Sequence, residues 1–175
     1  MAADFTKPQF CYACGGKLKC QFVEDEDCTR LVCQDCGAIT YINPRVVAAA
    51  IPEFDGKIML LRRAIEPSYG MWTFPAGYVD LWESVPDGAA REVMEEINVP
   101  IDINSLLGVY SSSDSPIALV VYRATALTSN IYPGRETMEA RLFAPDEIPW
   151  DDLAFPTTKA ALRDWVEQVG LVLVA

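Results

Sequence analysis

Residues 77–99 read GYVDLWESVPDGAAREVMEEINV: Gly77, five residues, Glu83, seven residues, Arg91-Glu92, then Glu95-Glu96. On a helix Glu92, Glu95 and Glu96 stand at i, i+3 and i+4 and share one face. Ala90, Val93, Met94 and Ile97 then form a nearly opposite apolar face that can pack on a core. Taken by themselves, the glutamates fit a solvated acidic helix face, the commonest fate of such runs, better than they fit a site. Side by side, however, they repel one another unless a cation lies between them, and such an oxygen-rich set suits a hard divalent ion. The flanks frame the element. Ser84 with Asp87 resembles a capping box and Pro86 suits a first helical turn, so the helix is predicted to start near Ser84. Asn98, a residue tolerated in a left-handed cap, and Pro100 end it. Ahead of it, Thr73-Phe74-Pro75-Ala76-Gly77 reads as a short strand running into a bend at Gly77.

The spacing Gly-x5-Glu-x7-Arg-Glu-aliphatic-x-Glu-Glu-x-(Gly)-aliphatic resembles the Nudix box, and each specified position matches except Asn98, where the family has glycine. That departure falls on the helix cap. The resemblance implies an α/β fold, an α/β/α sandwich with a mixed sheet. It implies that Glu92, Glu95 and Glu96, with the carbonyl of Gly77, hold catalytic Mg²⁺ or Mn²⁺, and that Glu83 and Arg91 orient that helix. Arg91 also reaches Glu95 at i+4. Metal-held diphosphate and a carboxylate acting on a bound water would supply the hydrolysis. The chain holds no histidine, so glutamates carry any acid–base work.

Cys11-x-x-Cys14-Gly15 and Cys33-x-x-Cys36-Gly37 form two knuckles with eighteen residues between them, the spacing of a four-cysteine structural Zn²⁺ site. A disulfide framework is the alternative. Cys20 and Cys28 are left as small apolar or surface thiols. The chain has 175 residues and a net charge of −11, which disfavours nucleic acid as a partner. Its longest apolar runs, 46–51 and 170–175, are too short to span a bilayer. A cytoplasmic protein is expected, with a loose leader and zinc ribbon over 1–42, a hinge at Asn43-Pro44 and the catalytic domain over 43–175. The acidic ribbon reads as a structural or dimerising module, and a homodimer is expected. Strands are predicted at 45–51, 57–63, 101–111, 117–125 and 139–144. A helical turn at 145–150 and a closing helix at 156–169 complete the set.

Beyond the box, the ribbon, Asn43-Pro44-Arg45, Arg62-Arg63, 70–77 and Glu147-Ile148-Pro149-Trp150 are similar to the zinc-ribbon Nudix subgroup, which contains FAD and ADP-ribose diphosphatases. NADH pyrophosphatases also have a ribbon, but show a Ser-Gln-Pro-Trp-Pro-Phe-Pro stretch after the box. Here 107–116 reads LGVYSSSDSP. FAD or ADP-ribose, releasing AMP, is therefore expected ahead of NADH, and a catalytically weak nucleotide-binding regulator is a further alternative. Glu136 or Glu139 could supply an additional catalytic carboxylate; Glu136 is the one expected, although a solvated loop acid fits as well. Arg45, Arg62 and Arg63 are candidates for the diphosphate, since guanidinium groups match phosphate oxygens. Arg62 and Arg63 point to opposite faces of a strand, so one of them is expected at the site. Trp72, Phe74, Tyr110 and Tyr122 read first as core aromatics, and Trp82 as an exposed ring that could meet substrate or a second copy of the chain.

Overall fold

The computed structural model describes residues 7–170, so most of the leader and the run 171–175 lie outside the described residues. The chain divides into two compact units, Met1–Pro44 and Arg45–Ala175.

The first unit is a three-stranded antiparallel sheet of β1 (Leu18–Val23), β2 (Cys28–Cys33) and β3 (Ile39–Thr40). A single turn at Glu24–Glu26 links β1 to β2, with Asp27 in the left-handed region.

The second unit is built on a mixed sheet. β4 (Arg45–Phe54) and β5 (Lys57–Arg63) form a hairpin about Asp55 and Gly56, both at positive φ (49° and 74°). A two-residue loop of that kind matches the twist of the strands it joins. The hairpin is paired only near its turn and then opens. β6 (Trp72–Thr73) pairs with β5 in the gap, and β7 (Ala76–Tyr78) pairs with β4. β8 (Ile101–Ser111), β9 (Ile117–Ala126) and β10 (Thr137–Phe143) complete the order β10-β5-β4-β9-β8, in which only the β4–β9 pair is parallel.

α1 (Val85–Ile97) and α2 (Pro156–Gln168) cover opposite faces of this sheet. Alternation along β4 separates the two cores. Ala49 and Ile51 pack with Leu162, Trp165 and Val166 of α2, whereas Ala48 and Ala50 pack with Ala89, Val93 and Ile97 of α1. The architecture is the α/β/α sandwich expected from the sequence. The expected strand 73–77 is split by Phe74-Pro75, and the helical turn at 145–150 is confined to Pro145–Glu147.

Two local expectations are corrected. Met94 does not face the core: it is 44% exposed, while Glu96 turns inward with Ala89, Val93 and Ile97. The helix is rotated by about one position from the purely apolar solution, because a backbone donor waits for Glu96 on the inner side. Gly77 is not at a bend either. It lies within β7 opposite Ala48, and the chain turns later, where Trp82 adopts φ +72°.

Candidate functional site

α1 is capped as its flanks predict. Ser84 Oγ accepts from the Asp87 N–H at 3.3 Å, and Asn98 ends the helix at φ +54° with its N–H on the Met94 carbonyl. This fixes which residues look onto β7. On that side Glu92 lies against Gly77, where a Cβ would overlap its carboxylate. The glycine is thus required by close approach rather than by turn geometry. One turn on, Glu96 Oε2 accepts the Ala76 N–H at 3.0 Å, joining helix to strand.

Glu96 is only 8% exposed. Burial pushes its carboxyl up to about 8, aided by the Glu92 and Glu136 carboxylates and opposed by the Ala76 N–H and Arg63. Glu92 is also raised by burial, with Arg91 pulling it down and Glu95 and Glu136 pushing it up. Arg91 is the local counter-charge. Its Nε and Nη2 grip both oxygens of Glu83 at 2.8 and 3.0 Å, and Nη1 reaches Glu92 at 2.6 Å and Glu95 at 3.2 Å. Nη2 also donates to the Tyr78 carbonyl at 2.9 Å, tying the helix to β7. Glu83 is held below the usual carboxylate range by Arg91 first and by the Asp80 N–H second. Both contacts foreseen for Arg91 are therefore made, together with two that were not: the neighbouring Glu92 and the Tyr78 carbonyl.

The remaining candidates separate. Glu136 is exposed and close enough for its charge to bear on Glu92 and Glu96. Glu139 is paired across the sheet with Arg62 and lies 3.8 Å from Arg141. Arg63 shares the register face of Leu61, toward α1, and its charge stabilises ionised Glu96; its Nε donates to the Pro67 carbonyl at 2.9 Å and it lies 5.2 Å over Phe155. Arg62 points to the other face and donates to the Gly70 carbonyl at 2.7 Å. Arg45 has the parity of Val47 on the α2 side, 5.4 Å over the Tyr78 ring, away from the glutamates. Trp82 is 95% exposed. Trp72 and Phe74 are core residues, Tyr122 packs against the α1-side core, and Tyr110 donates to Asp164 at 2.7 Å.

Sequence reasoning missed Gly88, where a Cβ would come within 2.8 Å of Glu83 Oε2. A glycine inside a helix costs about 1 kcal/mol relative to alanine, and that cost was the signal available.

In the first unit the Sγ atoms of Cys11, Cys14, Cys33 and Cys36 all lie within 4.8 Å of one another. The two knuckles repeat one hydrogen-bond pattern. Cys11 N–H donates to Gly16 O and Cys33 N–H to Ala38 O; Gly15 N–H returns to Cys11 O and Gly37 N–H to Cys33 O. Gly15 and Gly37 take the left-handed φ (76° and 73°) that this curl demands. N–H groups of Cys36 and Asp35 draw the Cys33 thiol down to about 7. Its neighbour Cys14, drawn down by the Gly16 N–H but sharing sulfur hydrogen bonds with the other cysteines, is pushed up to about 12. Four soft sulfur donors so gathered fit a tetrahedral zinc-type ion. All six cysteines are free, and Cys20 and Cys28 stand outside the cluster. The glutamates, by contrast, do not converge to this degree among the described residues. Their donor set, with Gly77 kept open to Glu92, fits a hard divalent ion held from one side.

A mixed sheet between two helices, with an acidic helix docked on a glycine-bearing strand, defines the architecture of a metal-dependent diphosphate hydrolase. The NUDIX domain model matches residues 43–172 and the Nudix N-terminal zinc-ribbon model residues 9–42. The chain belongs to the Nudix hydrolase family, whose members use a divalent metal and act on small nucleotide substrates. It is 37% identical to a NUDIX hydrolase from Nitrosomonas europaea of known structure, with a TM-score of 0.87 over 94% of both chains. It is 32% identical to the ADP-ribose pyrophosphatase of Methanocaldococcus jannaschii, over 72% of this chain and 75% of that protein. It is 27% identical to the NAD-capped RNA hydrolase NudC of Stutzerimonas stutzeri, over 91% of this chain but 55% of that longer protein. No helix among the described residues is long and apolar enough to cross a membrane.

Proposed function

We propose that this protein is a Mg²⁺-dependent hydrolase of nucleoside diphosphates linked to a further moiety, with ADP-ribose first and FAD second, releasing AMP. The observation that carries it is the buried Glu96 one turn from Glu92, which lies against Gly77 and is paired with Arg91. Glu92, Glu95, Glu96 and the Gly77 carbonyl would hold the ion. When bound, it neutralises the diphosphate and acidifies a coordinated water.

The chain's own residues do the rest. The Glu83–Arg91 fork holds α1 in register with β7, so that Glu92 and Glu96 keep their separation. Glu136 takes the proton of the attacking water, and its proximity to both carboxylates supports that role. Water adds to one phosphorus as the bridging P–O bond breaks, and AMP leaves with the second phosphorylated product. Arg63, on the glutamate side, neutralises diphosphate charge. Arg62 and Arg45 lie on the other face of the sheet, away from the glutamates; Trp82 offers the substrate an exposed ring.

The ribbon holds one structural Zn²⁺ on Cys11, Cys14, Cys33 and Cys36, with the domain division at 42/43. Its free cysteines favour a reducing, cytoplasmic setting. A homodimer is proposed, to be measured by sedimentation. ADP-ribose ranks ahead of FAD because the archaeal relative is named for it. The NudC relative's name favours a second reading, NADH-type or NAD-capped RNA cleavage, against which stands the LGVYSSSDSP stretch at 107–116. Steady-state kinetics on ADP-ribose, FAD, NADH and NADPH, reading AMP, decides between them. A specificity constant for NADH tenfold above those for both ADP-ribose and FAD, about 1.4 kcal/mol of discrimination, reverses the ranking.

A further inference from the structure

Asn98 stands where the Nudix box has glycine, and its left-handed φ of +54° is one that glycine adopts without strain. Its side chain does something glycine could not. Asn98 Nδ2 donates to the Tyr132 carbonyl at 2.8 Å. Two backbone bonds run the other way between the same pieces: Tyr132 N–H to Ile97 O at 3.0 Å and Gly134 N–H to Glu96 O at 2.8 Å. Gly134 approaches so closely that a Cβ there would overlap the Glu95 carbonyl oxygen. The segment 129–135 therefore closes the C-terminal end of α1 and satisfies carbonyls that a helix end leaves open. Its apolar anchoring is slight, with Ile131 partly buried against the α1-side core and Tyr132 64% exposed. Two residues past Gly134 comes Glu136, whose carbonyl accepts the Ala64 N–H at 2.8 Å.

We infer that Asn98 is a positioning residue: its amide locks the 129–135 segment onto the end of α1 and so sets Glu136 against Glu92 and Glu96. The inference rests on the reading of Glu136 as proton acceptor. The helix supplies the metal-facing carboxylates and the segment leads directly into the fourth acid, Glu136; the amide joins the two parts so that they move together.

Asn98→Gly removes the amide while keeping, even easing, the cap. In the full-length protein with Mg²⁺ and the fastest substrate of the panel, it should lower kcat about tenfold with KM and thermal midpoint unchanged. Asn98→Asp, which keeps the shape but loses the donor, should fall equally. Amide exchange should rise at Tyr132 and Gly134 and stay constant through the middle of α1. The deciding measurement is the cycle with Glu136→Gln: once the carboxylate is gone, Asn98→Gly should cost less than about twofold, because the two act as one unit. Parental kcat in Asn98→Gly alongside a slow Glu136→Gln would overturn the link alone, as would an equal loss in both backgrounds. Full activity of Glu136→Gln would overturn the link together with the role given to Glu136.

Discussion

The cysteine cluster and the glutamate helix both carry donor sets that fit a metal ion, yet they are organised in opposite ways. Four thiols are already gathered within 4.8 Å by two knuckles with the same hydrogen bonds, so the ligands wait in place. The carboxylates are kept apart, with Glu92 gripped by Arg91, Glu96 by a backbone N–H, and Glu95 largely in solvent. The difference follows from charge and task. A closed site that only braces a fold gains from ligands that converge. An open one, which has to admit a diphosphate, gains from carboxylates restrained by neighbours that can yield.

The comparison breaks most visibly if the ribbon is indifferent to metal. One zinc per chain is expected by elemental analysis, and chelation should abolish the ordered amide resonances of 11–40, since structural zinc contributes about 10 kcal/mol or more to such modules. The 45–170 unit has its own core and should keep its cooperative unfolding. Zinc absent with a Cys11–Cys36 disulfide present would reverse the contrast.

At the glutamates the loss should be catalytic rather than structural. Glu92→Gln or Glu96→Gln is expected to cost about 4 kcal/mol of transition-state stabilisation, roughly a thousandfold in kcat, with unchanged circular dichroism. Near-parental turnover in both at saturating Mg²⁺ would remove the ligand assignment. Gly77→Ala presses a methyl into the Glu92 carboxylate and should cost about a hundredfold. Gly88→Ala meets only the flexible end of Glu83 and should cost about tenfold.

The smallest effect concerns pH. Glu96 ionises near 8 in the folded chain against an ordinary 4.5, so its contribution to metal-free stability is complete below about 4.5 and lost as pH rises through about 8. Mg²⁺ needs the ionised form. The rise in thermal midpoint on adding Mg²⁺ should therefore grow between about pH 6 and about pH 9, and Glu96→Gln should flatten it. A constant rise in the parent would show that Glu96 is not the titrating ligand.

What could be read from the sequence was local. Ser84, Pro86 and Asn98 mark the ends of α1 because caps are settled within a few residues, and the paired C-x-x-C-G knuckles carry their own spacing. The rotation of α1 could not be read. Met94 outranks Glu96 in any apolar pattern, but Glu96 turns inward toward a donor twenty residues earlier in the chain. Gly77 was recognised for the right spacing and the wrong reason, since only the folded chain shows Glu92 lying against it. The strand parity that separates Arg62 from Arg63 was legible; which of them faces α1 depended on where the helix docks. The tie from Asn98 to Tyr132 spans thirty-four residues and leaves no local signature.

The three alanines at the centre of β4, Ala48, Ala49 and Ala50, have no exposed surface. Packed from both sides, they leave no slack for an added methylene without displacing a helix, and overpacking of that kind costs typically 1–3 kcal/mol. Variation in a lineage of such proteins is thereby steered outward. Change is accommodated more readily in exposed loops such as 112–116, where drift never disturbs the sheet, so divergence at the surface can outpace divergence in how the chain folds.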